Sequence, residues 1–88
     1  MLFDWDDEKA AKNVRKHKVS FEAAFDFEFD TAIIRSVDFE GGEERTVALG
    51  FIGQTLHVLV YAERGDVIRT ISLRQADKSE KRWFYEQL

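Results

Sequence analysis

The sequence has no cysteine, no proline, one methionine and two histidines. Without cysteine, a disulfide framework and thiolate metal sites are excluded. His17 and His57 stand too far apart in the chain to form a zinc-ligand pair by spacing. No stretch approaches the ~18 consecutive apolar residues that a membrane-crossing helix requires. The opening residues, MLFDWDDEK, are acidic where a signal peptide is basic and then apolar. A soluble, cytoplasmic protein is therefore expected. No Ser-His-Asp order, Walker loop or dinucleotide fingerprint is present. Gly41-Gly42 precedes two acids, Glu43 and Glu44, which is wrong for a phosphate cradle. An excess of positive charge is missing too. Thirteen Lys and Arg face 17 Asp and Glu, for a net charge of -4. Taken whole, that balance argues against a protein that coats nucleic acid.

What is present suits one small globular domain spanning residues 1–88. A chain of this length buries about 60% of the surface it exposes when unfolded. The 44% hydrophobic and 14% aromatic content is enough for a packed core. The charge is segregated. Residues 1–8 sum to -4, residues 9–18 to +5, residues 19–44 to -7, residues 45–63 to zero and residues 64–88 to +2. Screening limits a charge's reach to roughly 8–10 Å, so a local basic surface can hold a phosphate backbone on an acidic protein. Two solvated faces of unlike sign are the plainer reading of the same numbers.

The pattern along the chain reads α-α-β-β-β-β-α. A helix over residues 6–17 begins with Asp4 or Asp6 as cap, with acids in its first turn and Arg15, Lys16, His17 and Lys18 in its last. Ser20 resembles the N-cap of a second helix over residues 21–28. Four strands follow, at residues 32–38, 44–52, 55–61 and 66–73. Gly41-Gly42, Gly53-Gln54 and Arg64-Gly65-Asp66 mark the hairpin turns. Short connections imply an antiparallel meander. A last helix covers residues 75–87, with Trp83, Phe84 and Leu88 on its apolar side. Helices on one face leave the other face of the sheet open, with Leu59 and Tyr61 on it, unless the last helix folds over it. In the fourth strand, residues 69, 71 and 73 share one face and residues 70, 72 and 74 the other.

Chemistry-bearing residues gather in the last third: Arg64, Arg69, Ser72, Arg74, Lys78, Glu80, Lys81, Arg82 and Tyr85. RNA cleavage by its own 2′-hydroxyl needs a base for that proton, cations for the phosphate and an acid for the leaving oxygen. Arginine suits the phosphate because its planar fork donates two hydrogen bonds at once. Arg69 sits mid-strand and equally well pairs with Glu43, Glu63 or Glu80. His17 can serve as base or acid, or only as a cation at a helix C-terminus. Glu80 and Tyr85 stand about 140° apart around their helix.

One family has this order of motifs. Phe3-Asp4-Trp5-Asp6-Asp7-Glu8-Lys9, Asn13 and Arg15-Lys16-His17-Lys18-Val19-Ser20-Phe21-Glu22-Ala23-Ala24 resemble the opening of the BrnT toxins, F-x-W-D-x-x-K…N…K-H-G-V-S-F-E-E-A. Gly42-Glu43-Glu44-Arg45, Gly50, Val60-Tyr61-Ala62-Glu63-Arg64-Gly65 and Arg69-Thr70-Ile71-Ser72-Leu73-Arg74-Gln75-Ala76 are similar to the family's second half. Ser79-Glu80-Lys81-Arg82 through Tyr85-Glu86 is similar to its closing helix. Lys18 stands where the family has glycine, Thr70 and Leu73 replace Ile and Ala, and Trp83-Phe84 makes the last helix bulkier. The resemblance implies a RelE-like α+β fold. It implies an endoribonuclease, independent of the ribosome and of any metal or cofactor, that degrades RNA and arrests translation. It implies a BrnA-like ribbon-helix-helix antitoxin, in a complex of two toxins with two antitoxins.

On that reading Arg64, Arg69, Arg74 and Tyr85 face the phosphate, with His17 adjacent and Glu80 orienting an arginine or taking a proton. Lys16, Lys78, Lys81 and Arg82 are the RNA-binding cations. A non-catalytic module that binds a protein through the open sheet face is the alternative. A DNA-binding repressor is weaker still, because no helix-turn-helix signature is present.

Overall fold

The computed structural model describes residues 2–88. The first helix, α1, runs Asp7–His17. Asp6 caps it from an extended backbone, accepting hydrogen bonds from Glu8 N at 2.8 Å and Lys9 N at 3.3 Å. Acids in the first turn and Arg15, Lys16 and His17 in the last complement the helix dipole. The helix stops at Lys18, which takes the left-handed conformation at φ 61°. Lys18 N–H reaches back to Val14 O at 2.9 Å. This is the position where the motif has glycine, the residue that adopts this conformation without a steric cost.

Ser20 caps the next element as expected, through a bond from Glu22 N. That element is a 3-10 helix at Phe21–Asp26, not an α-helix to residue 28. Its Phe27 N–H bonds Ala24 O, three residues back, and the chain then turns extended to meet Ile52. Phe21, Ala24 and Phe27 are all buried, so fitting these three into the core sets the tighter winding.

The sheet has five strands in the order β1-β5-β4-β3-β2: β1 Leu2–Asp4, β2 Ile33–Glu40, β3 Glu43–Ile52, β4 Thr55–Arg64 and β5 Val67–Gln75. The four expected strands form an antiparallel meander. The fifth, β1, pairs in parallel with β5 from Leu2↔Val67 to Asp4↔Arg69, so the sheet is mixed. Three residues are too few to show a period of two, which is why the sequence pattern missed β1. The last helix, α2, is shorter than expected, at Lys78–Glu86. Gln75 completes β5, and Asp77 caps the helix in a capping box with Glu80.

Helices cover both faces of the sheet, so the expected open face does not exist in that form. α1 and the 3-10 helix pack over Ala48, Leu59, Tyr61, Ile68 and Leu73. Phe84 of α2 packs on the opposite face with Leu49, Leu56 and Val58. Leu59 and Tyr61 are buried rather than open. Gly50 lies where this first core is tightest, since a Cβ there would sit 2.5 Å from the Phe27 ring. The strand faces of β5 also differ from strict alternation. Val60 pairs with Ser72 but Tyr61 pairs with Thr70, which leaves Ile71 as a bulge. The bulge turns Arg69 onto the same face as Ser72 and Arg74, with Ile68, Thr70 and Leu73 on the other.

Candidate functional site: a basic cleft between α1 and the free edge of β5

β1 shields the β5 edge only as far as Arg69. Beyond it, that edge meets α1. Asn13, the one buried residue of α1, closes the gap. Its Nδ2 donates to Leu73 O at 2.6 Å and to Val19 O at 2.9 Å, and its Oδ1 accepts from Leu73 N at 3.3 Å. The side-chain amide thus does for Leu73 what a neighbouring strand would do.

On both sides of Asn13 the same helix stripe carries Lys9, Lys12 and Lys16, spaced three to four residues apart, with His17 next to Lys16 and four residues after Asn13. These side chains, with Asn13, Ile71 and Ser72, line a cleft of about 270 Å³. Its ionisable lining groups are three lysines and an imidazole, with no carboxylate. Burial pushes the His17 pKa below its ordinary value, and the charges of Lys16 and Arg74 push it further the same way. The imidazole therefore favours its neutral form, which can accept a proton at pH 7.

Arg74 leaves β5 on the α2 side. Its two terminal nitrogens bond the Glu80 carboxylate in parallel, each at 2.7 Å. Glu80 is 5% exposed and also accepts from Asp77 N at 2.9 Å. The Arg74 hydrogen bonds lower the Glu80 pKa, and Glu80 in turn raises that of Arg74. Arg35, at a bulge in β2, adds a 3.5 Å contact to Glu80 and lies 5.5 Å above the Trp83 ring. The bidentate ion pair fixes the plane of the Arg74 guanidinium.

The residues singled out by sequence fall in several places. His17 and Lys16 line the cleft, and Arg74 is close enough to act electrostatically on His17. Glu80 lies against Arg74, accepting two hydrogen bonds from its guanidinium. Arg69 pairs with Asp4 of β1, at 3.3 Å, rather than with Glu43, Glu63 or Glu80. Arg64 pairs with Glu43 at 2.6 Å, at the end of β4. Tyr85 and Lys81 line a separate hollow with Phe51, Gln54, Thr55 and Leu56, at the start of β4. Eight residues of strand separate Leu56 from Arg64, about 26 Å, so Arg64 and Tyr85 do not share a site. Lys78 and Arg82 are exposed on α2.

Lys9, Lys12 and Asn13 were not among the candidate site residues. Their helical spacing with Lys16 was a usable signal, but the free strand edge they face depends on the short β1. His57 is buried, with Nδ1 2.8 Å from Thr55 O, and plays a packing part. Among the described residues no three His, Asp or Glu side chains converge as metal ligands. No helix among them is long and apolar enough to cross a membrane.

The sheet and cleft together define a small α+β protein with a local surface suited to a polyanion. The sequence matches the model of a family described as the ribonuclease toxin, BrnT, of type II toxin-antitoxin systems, over residues 5–80. The chain belongs to the BrnT family. Among solved structures it is similar to the Brucella abortus ribonuclease toxin BrnT, at 24% identity and a TM-score of 0.72. That similarity covers 89% of this chain and all of the other. No curated protein matches the sequence.

Proposed function

We propose that the chain is an active, ribosome-independent endoribonuclease that works without a metal ion, in the cytoplasm, and halts translation by destroying RNA. The observation that carries this reading is the His17 imidazole, held toward its neutral form in a cleft whose other charged groups are cations. In the proposed step His17 takes the proton of a ribose 2′-hydroxyl. The freed 2′-oxygen attacks the adjacent phosphorus while the bond to the 5′-oxygen breaks. The leaving oxygen takes a proton from water at the cleft mouth. The products are a 2′,3′-cyclic phosphate and a 5′-hydroxyl end. Charge building on the phosphate is met by Lys12, Lys16 and Arg74, the last kept in plane by Glu80.

Arg69, Arg64, Lys78, Lys81, Arg82 and Tyr85 contact the RNA further from the scissile bond in this scheme. A BrnA-like ribbon-helix-helix antitoxin neutralises the toxin, two copies binding two, which light scattering of the complex measures directly.

The test is purified protein, free of partner, incubated with RNA in EDTA. Cleavage leaving cyclic phosphate ends is expected, and Arg74→Ala and His17→Ala are each expected to slow it by ~10²–10³. No cleavage by the wild type at any concentration, or full rates in both variants, would overturn the reading.

A further inference from the structure

β2 is the outer strand of the sheet, with no neighbour beyond it. Ile34, Val37 and Phe39 are 57%, 46% and 72% exposed. The register puts all three on one side, opposite Ala48, Thr46 and Glu44, because the bulge at Arg35 resets the alternation between Ile34 and Val37. Apolar side chains in a row on an unpaired strand are what a soluble protein ordinarily avoids. The surroundings are acidic. On the same side of the sheet Glu44, Thr46 and Glu63 line a hollow of about 230 Å³, with Glu43, which pairs with Arg64, at its rim. Asp38 and Glu40 lie along β2 itself. The stretch that contains this strand, residues 19–44, carries -7.

We propose that the free edge of β2 from Ser36 to Glu40 docks an extended basic segment of the antitoxin, which adds to the sheet as a sixth strand. The inference rests on the toxin-antitoxin reading above and names the surface that serves it. Outward-facing backbone N–H and C=O groups supply the pairing, and Val37 and Phe39 cover apolar side chains of the incoming strand. Glu44 and Glu63 receive its lysines or arginines. The same acids exclude two other occupants. Antiparallel pairing with a second copy of this chain would bring the acids of one β2 against the acids of the other, and RNA would meet like charge. The surface is also separate from the basic cleft, which lies at the other end of the strand order, beside β5.

The experiment co-expresses the chain with the antitoxin encoded beside it and measures their affinity for wild type, Val37→Lys and Phe39→Lys. Amide exchange of Ser36–Glu40 is measured with and without the antitoxin. Each substitution is expected to weaken the complex about 10- to 100-fold, since centrally placed aromatic and apolar anchors carry most of an interface's energy. RNA binding by the free variants should be unchanged, which shows that they fold. Protection of the Ser36–Glu40 amides that point away from β3 should appear only in the complex, since the alternate amides are already paired with β3. A complex whose affinity survives both substitutions, or in which the outward-facing β2 amides stay unprotected, overturns the surface while leaving the antitoxin reading intact. Failure of the wild-type chain to bind any antitoxin overturns both.

Discussion

Asn13 joins α1, the turn after it and the open edge of β5 through one side chain, and its removal tests how the cleft is built. In Asn13→Ala, Leu73 N–H, Leu73 C=O and Val19 C=O all lose their partner at once. A buried polar group left unpaired costs about 1–3 kcal/mol. Water entering from the cleft re-solvates the two Leu73 groups in part, so the total is about 2–3 kcal/mol rather than the sum of three full penalties. A domain of this length has ~4–13 kcal/mol of stability, so that loss is a large share of the whole. The midpoint should fall by roughly 10–20 °C. Asn13→Leu is the informative companion. It keeps the volume and removes both donor and acceptor. If hydrogen bonding carries the effect, Leu should be about as damaging as Ala. If volume carries it, Leu should recover most of the loss. Urea unfolding followed by tryptophan fluorescence reads both variants, since Trp5 lies against the core that Asn13 helps to close. A Leu variant within about 0.5 kcal/mol of wild type would refute the assignment of Asn13 as a substitute strand.

Glu80→Gln should cost about 2–3 kcal/mol, less than a fully buried pair because Arg74 is a third exposed. The folded pKa of Glu80 is lowered, so its contribution is present above the unfolded value near 4.3 and fades as pH falls through the lower folded value. Urea unfolding between pH 7 and pH 3 should therefore show the wild type losing more stability than Glu80→Gln. RNA cleavage should rise with pH through a His17 pKa below 6.5 and be level by pH 7, and Lys16→Ala should move that rise upward by relieving part of the repulsion. A rate that is flat from pH 5 to pH 8 counts against His17 as the base. Lys18→Gly should stabilise the protein by about 0.5–1 kcal/mol in thermal melts, because Lys18 occupies a left-handed conformation.

The elements with strong local signals were legible in the sequence. Asp6, Ser20 and the glycine turns mark starts and reversals by chemistry confined to a few residues, and each stands where its signal put it. The failures share a cause in long-range pairing. Leu2–Asp4 forms a strand only because Val67–Arg69 is there to receive it. The bulge at Ile71 is set by how β4 and β5 register, and no side chain near it announces an irregularity. Arg69 is a mid-strand charge that needs a partner. The partner is Asp4, sixty-five positions earlier, on a strand the pattern did not show. The sequence alone leaves two outcomes for the second sheet face, open or covered by the last helix. The choice falls to Phe84, whose contacts with Leu49, Leu56 and Val58 anchor α2.

The same long-range pairing changes which cations are available to a phosphate. Arg35, Arg45, Arg64, Arg69 and Arg74 all meet carboxylates, at Glu80, Glu40, Glu43, Asp4 and Glu80 respectively. Among the described residues, none of the lysines forms such a pair. An RNA phosphate approaching a paired arginine competes with a carboxylate already in place, or uses only the N–H groups that the carboxylate leaves over. A phosphate entering the cleft beside α1 displaces only water and counterions from Lys9, Lys12 and Lys16. In the segment with the larger positive sum, residues 9–18, none of the cations meets a carboxylate among the described residues, whereas Arg64, Arg69 and Arg74 of residues 64–88 do. Arg74 is the exception among the arginines because it stands beside that cleft. Its pairing with Glu80 then acts as alignment: the carboxylate occupies one edge of the guanidinium and leaves the remaining N–H groups fixed in direction. In the proposed mechanism the lysines therefore attract the backbone and one held arginine meets the reacting phosphate. The other strand arginines are held to acidic residues of the fold and offer RNA only the N–H groups that those carboxylates leave over.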